Sequence, residues 1–339
     1  NTSQGASAVA VGNQAGDTSQ GSSGVAVGFK AGESYQSTNS VAMGNKAGQT
    51  SQGLDALALG VNAGQTSQSG GATAVGAYAG KINQSDFGVA VGYAAGQSYQ
   101  DGSATAVGRQ AGQFSQGRYA TAVGYFAGSN NQGSDAVAVG YSAGYTGQSP
   151  YAVAVGQSAG YSAQGSFAVA VGQAAGNLNQ LNYAVAVGNG AGTYSQGVSA
   201  VGVGYHAGYS NQDTGAVAVA DAAGESNQGS YSVAIGFTAA HYNQGNYAVA
   251  VGHAAGVTNQ HNNSIVLNAN VNALNTTTDS AFYVNPVRKS YNANFLRYDV
   301  TSKEITYTPR IEVLNQTVTL TNGTWTSLVN FNDQGLSDG

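Results

Sequence analysis

A glutamine recurs every sixteen residues through the first 260 positions of this chain. The series is Gln4, Gln20, Gln36, Gln52, Gln68, Gln84, Gln100, Gln116, Gln132, Gln148, Gln164, Gln180, Gln196, Gln212, Gln228, Gln244 and Gln260, without insertion or deletion. Numbering the places in the repeat 1 to 16 from Asn1, place 4 is always Gln. Place 12 is Gly except at Ala220 and Asn268, and place 15 is always Ala from Ala15 to Ala255. Place 16 is Gly except at Ala240. A strict short period of this kind specifies a solenoid, in which each repeat packs only on its neighbours.

The local pattern selects strand over helix. Places 8 to 11 read small-Val-Ala-Val, as in Ala136-Val137-Ala138-Val139, which has period two. Glycine at two or three of every sixteen positions opposes a helix. Sixteen residues fit one short coil of two strands and two turns, with Gly12, Gly16 and their equivalents where the turns need positive φ. The predicted fold is all-β: a parallel β-solenoid, a flattened two-sided β-roll of about 17 coils, with a C-terminal cap and hairpin region. Coils about 4.7–4.9 Å apart give a rod roughly 80 Å long. Each place in the repeat then becomes a ladder of like residues. The glutamines are expected to form a structural ladder, each amide donating to one neighbour and accepting from the other.

The alternation divides the two faces of the strand. The valines of places 9 and 11 are expected to point into the coil, where Ala of place 15 meets them. The small residues of places 8 and 10 would then form a smooth outer face. Such a face exceeds the few hundred Å² at which apolar patches mark interfaces, so it is expected to be buried against other copies of the chain.

Aromatics concentrate in two stripes. Place 7 carries Phe87, Tyr119, Tyr151, Phe167, Tyr183, Tyr231 and Tyr247; place 13 carries Tyr93, Tyr125, Tyr141 and Tyr205, with Phe29 and Phe237. They read either as a contact strip for a host glycan, a matrix protein or a neighbouring filament, or as coil-to-coil stacking that shields the turns.

Little else carries chemistry. The histidines His206, His241, His253 and His261 fall at different places, only His253 sharing a stripe with the aromatics. Asp17, Asp55, Asp135 and Asp221 are likewise scattered. No catalytic, cofactor or metal site is expected, and the recurring Gly-x-x-Ala-Gly lacks the lysine and following helix of a phosphate loop. Charged residues are 7% of the chain, against roughly 25% in an ordinary domain, and no basic stripe offers itself to nucleic acid. No apolar run is long enough for a membrane span. There is no cysteine, so disulfides do not stabilise the chain.

The repeat region is assigned to residues 1–268, ending in the strand Ser264-Ile265-Val266-Leu267. Residues 269–309 are assigned to a cap containing Leu274 and Phe282 and to a hairpin, Phe295–Val300 with Glu304–Thr308 about the turn at Thr301-Ser302-Lys303. Residues 310–339, with Val318-Thr319-Leu320, Trp325 and Leu328–Phe331, read as the start of a β-sandwich or a segment that pairs with another subunit. Asn1 falls in mid-repeat, so a processed or trimmed piece is expected. Glycosylation sequons stand at Asn1, Asn83, Asn262, Asn275, Asn315 and Asn322.

Units such as Tyr151-Ala152-Val153-Ala154-Val155-Gly156 and Ser232-Val233-Ala234-Ile235-Gly236 resemble the YadA-type head repeats of trimeric autotransporter adhesins. That resemblance implies a parallel β-roll, three chains side by side and binding to host matrix proteins. The segments Ser264–Asn268, Ala281–Pro286, Leu296–Tyr298 and Ile305–Tyr307 resemble a tail found in fibre-like proteins of large DNA viruses and phages. The expected role is a non-enzymatic fibre or adhesin stalk, a self-associating spacer and attachment surface on a virion or cell exterior. The competing expectations are a self-polymerising cross-β filament and an ice- or glycan-binding module.

Overall fold

The computed structural model describes residues 3–287 and 295–308 and contains a parallel β-solenoid of two sheets. The expected 16-residue coil is present throughout. Three-residue strands at places 9–11, from Val9–Val11 to Val233–Ile235, stack in parallel with register Val9↔Val25 and Val137↔Val153. Three longer strands extend this valine sheet: Val249–Gly252, Ile265–Asn268 and Phe282–Asn285. Opposite it, strands at places 2–4, from Thr18–Gln20 to Tyr242–Gln244, form a second parallel sheet. Every rung of this glutamine sheet pairs places 2 and 4 and leaves place 3 between them. The place-3 residue is left-handed in each coil, as at Ser19 (φ 57°) and Asn131 (φ 55°), so the short strand is kinked.

The core inverts the expected facing. Ala90, Ala106 and their equivalents at place 10, and Ala95, Ala111 and their equivalents at place 15, are fully buried. The small residues of place 8 are buried as well. The valines of places 9 and 11 point outward and are half-buried or exposed. The outer Ala face, and self-association through it, are therefore corrected: those alanines are the interior. The physical reason is thickness. A sixteen-residue coil brings its two sheets close together, and besides the glutamines only Ala, Gly and Ser fit between them. Each buried methyl stabilises by only about 0.8 kcal/mol, so polar bonding must hold much of the coil together.

That bonding comes from glutamine. The largest fully buried side chains are all place-4 glutamines. Each Nε2 donates across the coil to the place-9 carbonyl oxygen: Gln100 to Val89 at 2.8 Å, Gln164 to Val153 at 2.8 Å. Most also donate to the place-8 carbonyl, as Gln100 does to Ala104 at 3.1 Å. Amide-to-amide bonds run from Gln36 to Gln132, from Gln148 to Gln228 and from Gln244 to Gln260. Between these runs the expected ladder breaks. The buried Oε1 atoms of Gln20, Gln36, Gln148 and Gln244 have no partner.

Glycine is strongly favoured at two turns, with Ala220 (φ 108°) and Ala240 (φ 48°) as the exceptions. At place 12, Gly92 has φ 129°, and a Cβ there would meet the Gly108 carbonyl oxygen at 2.6 Å. At place 16, Gly96 has φ 49°, and a Cβ would lie 2.8 Å from Gln100 Oε1. The glycine of the turn thus makes room for the glutamine of the core.

The first compact unit runs from Asn1 to Pro286, so the capping residues belong to the solenoid body. Val266 replaces Ala in the last layer and is fully buried, with Leu274 and Tyr283 packed beside it. Asn268 Nδ2 donates to the carbonyls of His253 (2.7 Å) and Asn272 (2.8 Å). In the second unit, Phe295–Tyr298 and Ile305–Thr308 form the expected antiparallel hairpin. Asp299 Oδ1 accepts from the amides of Thr301 and Ser302 and shapes its turn. The assignment for residues 310–339, and the sequons at Asn1, Asn315 and Asn322, lie outside the described residues.

Candidate functional site

Three outward-facing features run the length of the rod: the valine face, the aromatic stripes and the polar side of the glutamine sheet. Local chain geometry fixes each of them. In the valine sheet, strand alternation sends places 9 and 11 outward once place 10 is committed to the core. Place 9 is Val, Leu, Ile or Thr (Thr73, Thr105 and Thr121), and place 11 is Val, Met43, Leu59, Ile235 or Leu267. Neither row holds a charge. With strand residues about 3.3 Å apart and coils about 4.8 Å apart, the two rows and their flanks cover a strip roughly 10 Å by 80 Å. That is about 800 Å², above the largest patch usual on a monomer and near the area each partner gives to a standard interface. Sequence reasoning missed this face. The signal was size variation: a row that accepts Val, Leu, Met and Thr is not confined, whereas the neighbouring row accepts only Ala or Gly until the cap.

The aromatic stripes lie outside, as expected, and much of each is stacked. At place 7, Tyr151, Phe167 and Tyr183 stack at 4.8 and 5.3 Å within 8° of parallel, and Tyr231 stacks on Tyr247 at 5.5 Å. At place 13, Tyr125 stacks on Tyr141 at 5.2 Å and Phe237 on His253 at 5.5 Å. Arg109 lies over both Tyr93 and Tyr125, and Arg118 over Tyr119. Tyr205 stacks on His206 at 4.0 Å. Phe87 stands apart and is 68% exposed. The place-7 aromatics all adopt left-handed backbone, from φ 56° to φ 62°. This strain is offset where the rings stack.

Several titratable side chains bond to neighbouring residues or coils. His241 pairs with Glu225, and His261 Nδ1 lies 2.7 Å from Thr276 Oγ1. Hydrogen bonds from Gln49 and Lys30 hold the Glu33 carboxyl below its ordinary range, and those from Ser230 and Thr214 do the same for Asp213. Among the described residues no group of three or more His, Cys, Asp or Glu could hold a metal ion, and no helix is long and apolar enough to cross a membrane. No protein-family model matches this chain, and no curated protein matches it in sequence.

Proposed function

We propose that this chain is a rigid structural rod that packs side by side with other copies of itself through the valine face. The assembly acts as a spacer and attachment surface on the exterior of a virion or cell. The observation that carries this reading is the uncharged double row of Val, Leu, Ile, Met and Thr at places 9 and 11. Its area is about what each partner gives to a standard interface, and its rungs repeat at one spacing, so two copies meet as matched, nearly flat surfaces. Three copies is the number implied by the resemblance to adhesin head repeats, as is placement outside the cell.

Lateral packing is favoured over end-to-end polymerisation by the cap. Val266, Leu274 and Asn268 cover the last alanine layer, and a further coil stacked there would have to displace them.

The test is multi-angle light scattering on the full chain, beside a variant carrying Val155→Lys and Val187→Lys. The wild type should run as a discrete oligomer of three chains. The variant should run as a monomer, with unchanged β-sheet circular dichroism. A monomeric wild type would overturn the proposal.

A further inference from the structure

The kinked strands of the glutamine sheet make a longitudinal groove on the side of the rod opposite the valine face. Place 3 turns outward in left-handed backbone, place 4 turns into the core, and places 5 and 6 rise again, so each coil contributes one notch. Four depressions follow this line. Those around Asn211 and Ser115 hold about 500 and 520 Å³, and those around Ser51 and Asn243 about 350 Å³ each. These volumes lie in the ordinary range for ligand sites, about 300–1,000 Å³. We propose that this groove binds a linear, uncharged polysaccharide, with Tyr35 and Tyr99 as stacking platforms for its sugar rings.

Tyr35 and Tyr99 are anomalous in their row. Place 3 is otherwise Ser, Asn, Gly or Ala in every coil from Ser19 to Asn259. Ser and Asn are short polar residues, and Asn in particular is enriched in left-handed backbone. The two tyrosines hold φ 57° and 58°. A bulky side chain there costs on the order of 1–3 kcal/mol. Burial does not offset that cost, since the side chains are 63% and 62% exposed. Stacking does not offset it either: unlike the place-7 rings, neither has an aromatic or cationic partner among the described residues. Both line the groove, between small neighbours that leave their faces open. They stand four coils apart on one ladder, about 19 Å at the usual strand spacing. Strained, exposed, unpartnered rings at matched positions are what a ligand with flat C–H faces requires.

Farther along the same row, seven to ten coils beyond Tyr99, lies the polar half of sugar recognition. Asn211, Asn227, Asn243 and Asn259 form an exposed amide ladder with Nδ2-to-Oδ1 distances of 2.9–3.0 Å. Within this chain of bonds each amide keeps one N–H and one oxygen lone pair for a ligand. Donor and acceptor side by side suit hydroxyl groups. An extended peptide fits less well. Strand addition needs an unpaired backbone edge, and the groove floor is committed to neighbouring coils through bonds such as Gly53 N to the Gln68 carbonyl at 2.7 Å. A polyanion is disfavoured because Asp101 and Asp213 line the walls and no Lys or Arg does.

This inference is independent of how many chains assemble, because the groove lies on the other sheet. The test is native affinity electrophoresis of the full chain through gels cast with pullulan, mixed-linkage β-glucan, glucomannan or gelatin. At least one polysaccharide should retard the wild type. The variant Tyr35→Asn with Tyr99→Asn keeps residues native to place 3, so it should melt no lower than wild type while its apparent affinity falls at least tenfold. A Tyr247→Ala control on the other stripe should be retarded as the wild type is. Absence of retardation by every polysaccharide, retardation by gelatin alone, or undiminished retardation of the double variant would each overturn the proposal.

Discussion

Gln100 donates to Gln116 Oε1 at 3.0 Å while its own Oε1 accepts from Gln84 at 3.0 Å, so this core amide is bonded both along the rod and across it. Gln100→Ala should therefore cost more than a lost side chain. It opens a cavity and strips partners from the Val89 and Ala104 carbonyls, for a loss of about 3–5 kcal/mol in urea unfolding. Gln100→Glu is more informative. Burial and two facing carbonyl oxygens disfavour the carboxylate, so the folded pKa is raised above the unfolded value of about 4.3. A raised folded pKa means that stability is fully present below the unfolded pKa and is lost as pH rises through the folded one. The variant should melt near wild type at pH 4 and well below it at pH 8. A variant equally stable at both would show that the site is wet.

A turn glycine and a strand glycine should respond differently to a methyl. Gly156 has φ 126°, and a Cβ would lie 2.6 Å from the Gly172 carbonyl oxygen. Gly156→Ala should cost roughly 3 kcal/mol through strain and displaced backbone. Gly147, at place 3 with φ 66°, has only ordinary contacts at 3.7 Å or more. Gly147→Ala should cost about 1 kcal/mol, the penalty of left-handed backbone alone. Thermal melts of the pair decide it, and equal losses would contradict the close approach of successive turns.

Phe167 sits between Tyr151 and Tyr183 with left-handed backbone at φ 59°. Phe167→Asn removes two stacks of about 0.5–1.5 kcal/mol each and relieves strain of about the same size. The net change in denaturant stability should stay within about 1 kcal/mol. A loss above about 3 kcal/mol would mean that the stripe is a principal stabilising element.

Glu33 gives the second pH dependence. Hydrogen bonds from Gln49 and Lys30 depress its folded pKa below the ordinary 4.5. A depressed folded pKa contributes stability above the unfolded value, and that stability is lost as pH falls through the folded one. An NMR titration should place its midpoint below 4.5. Glu33→Gln should flatten the acid limb of the stability curve by lowering stability near neutrality while leaving it close to wild type below the folded midpoint.

The coil length, the place of the valine strand, the special turns at Gly12 and Gly16 and the Phe295–Thr308 hairpin were legible in the sequence, because each rests on local chain geometry. The facing of the strand was not. Alternation at Val137-Ala138-Val139 shows that the two sides differ, but it does not say which is inside. The usual preference of valine for the core pointed the wrong way. Space decided it, since the gap between these sheets admits Ala138 and Gln148, and valine enters it only at Val266 in the cap. The groove was hidden for a related reason: nothing in Ser-Tyr-Gln at 34–36 announces that the middle residue is left-handed and turned outward.

The glycine turns and the glutamine core also make one rung interchangeable with another. Removing or duplicating sixteen residues leaves almost every contact as it was and shifts only the distance between the two ends. A gene of this form can vary its reach by recombining between its own repeats. Any change that is not a whole multiple of sixteen instead puts glutamine against the wrong turn and is read out at once as a folding defect. The molecule is in that sense a ruler graduated in single coils.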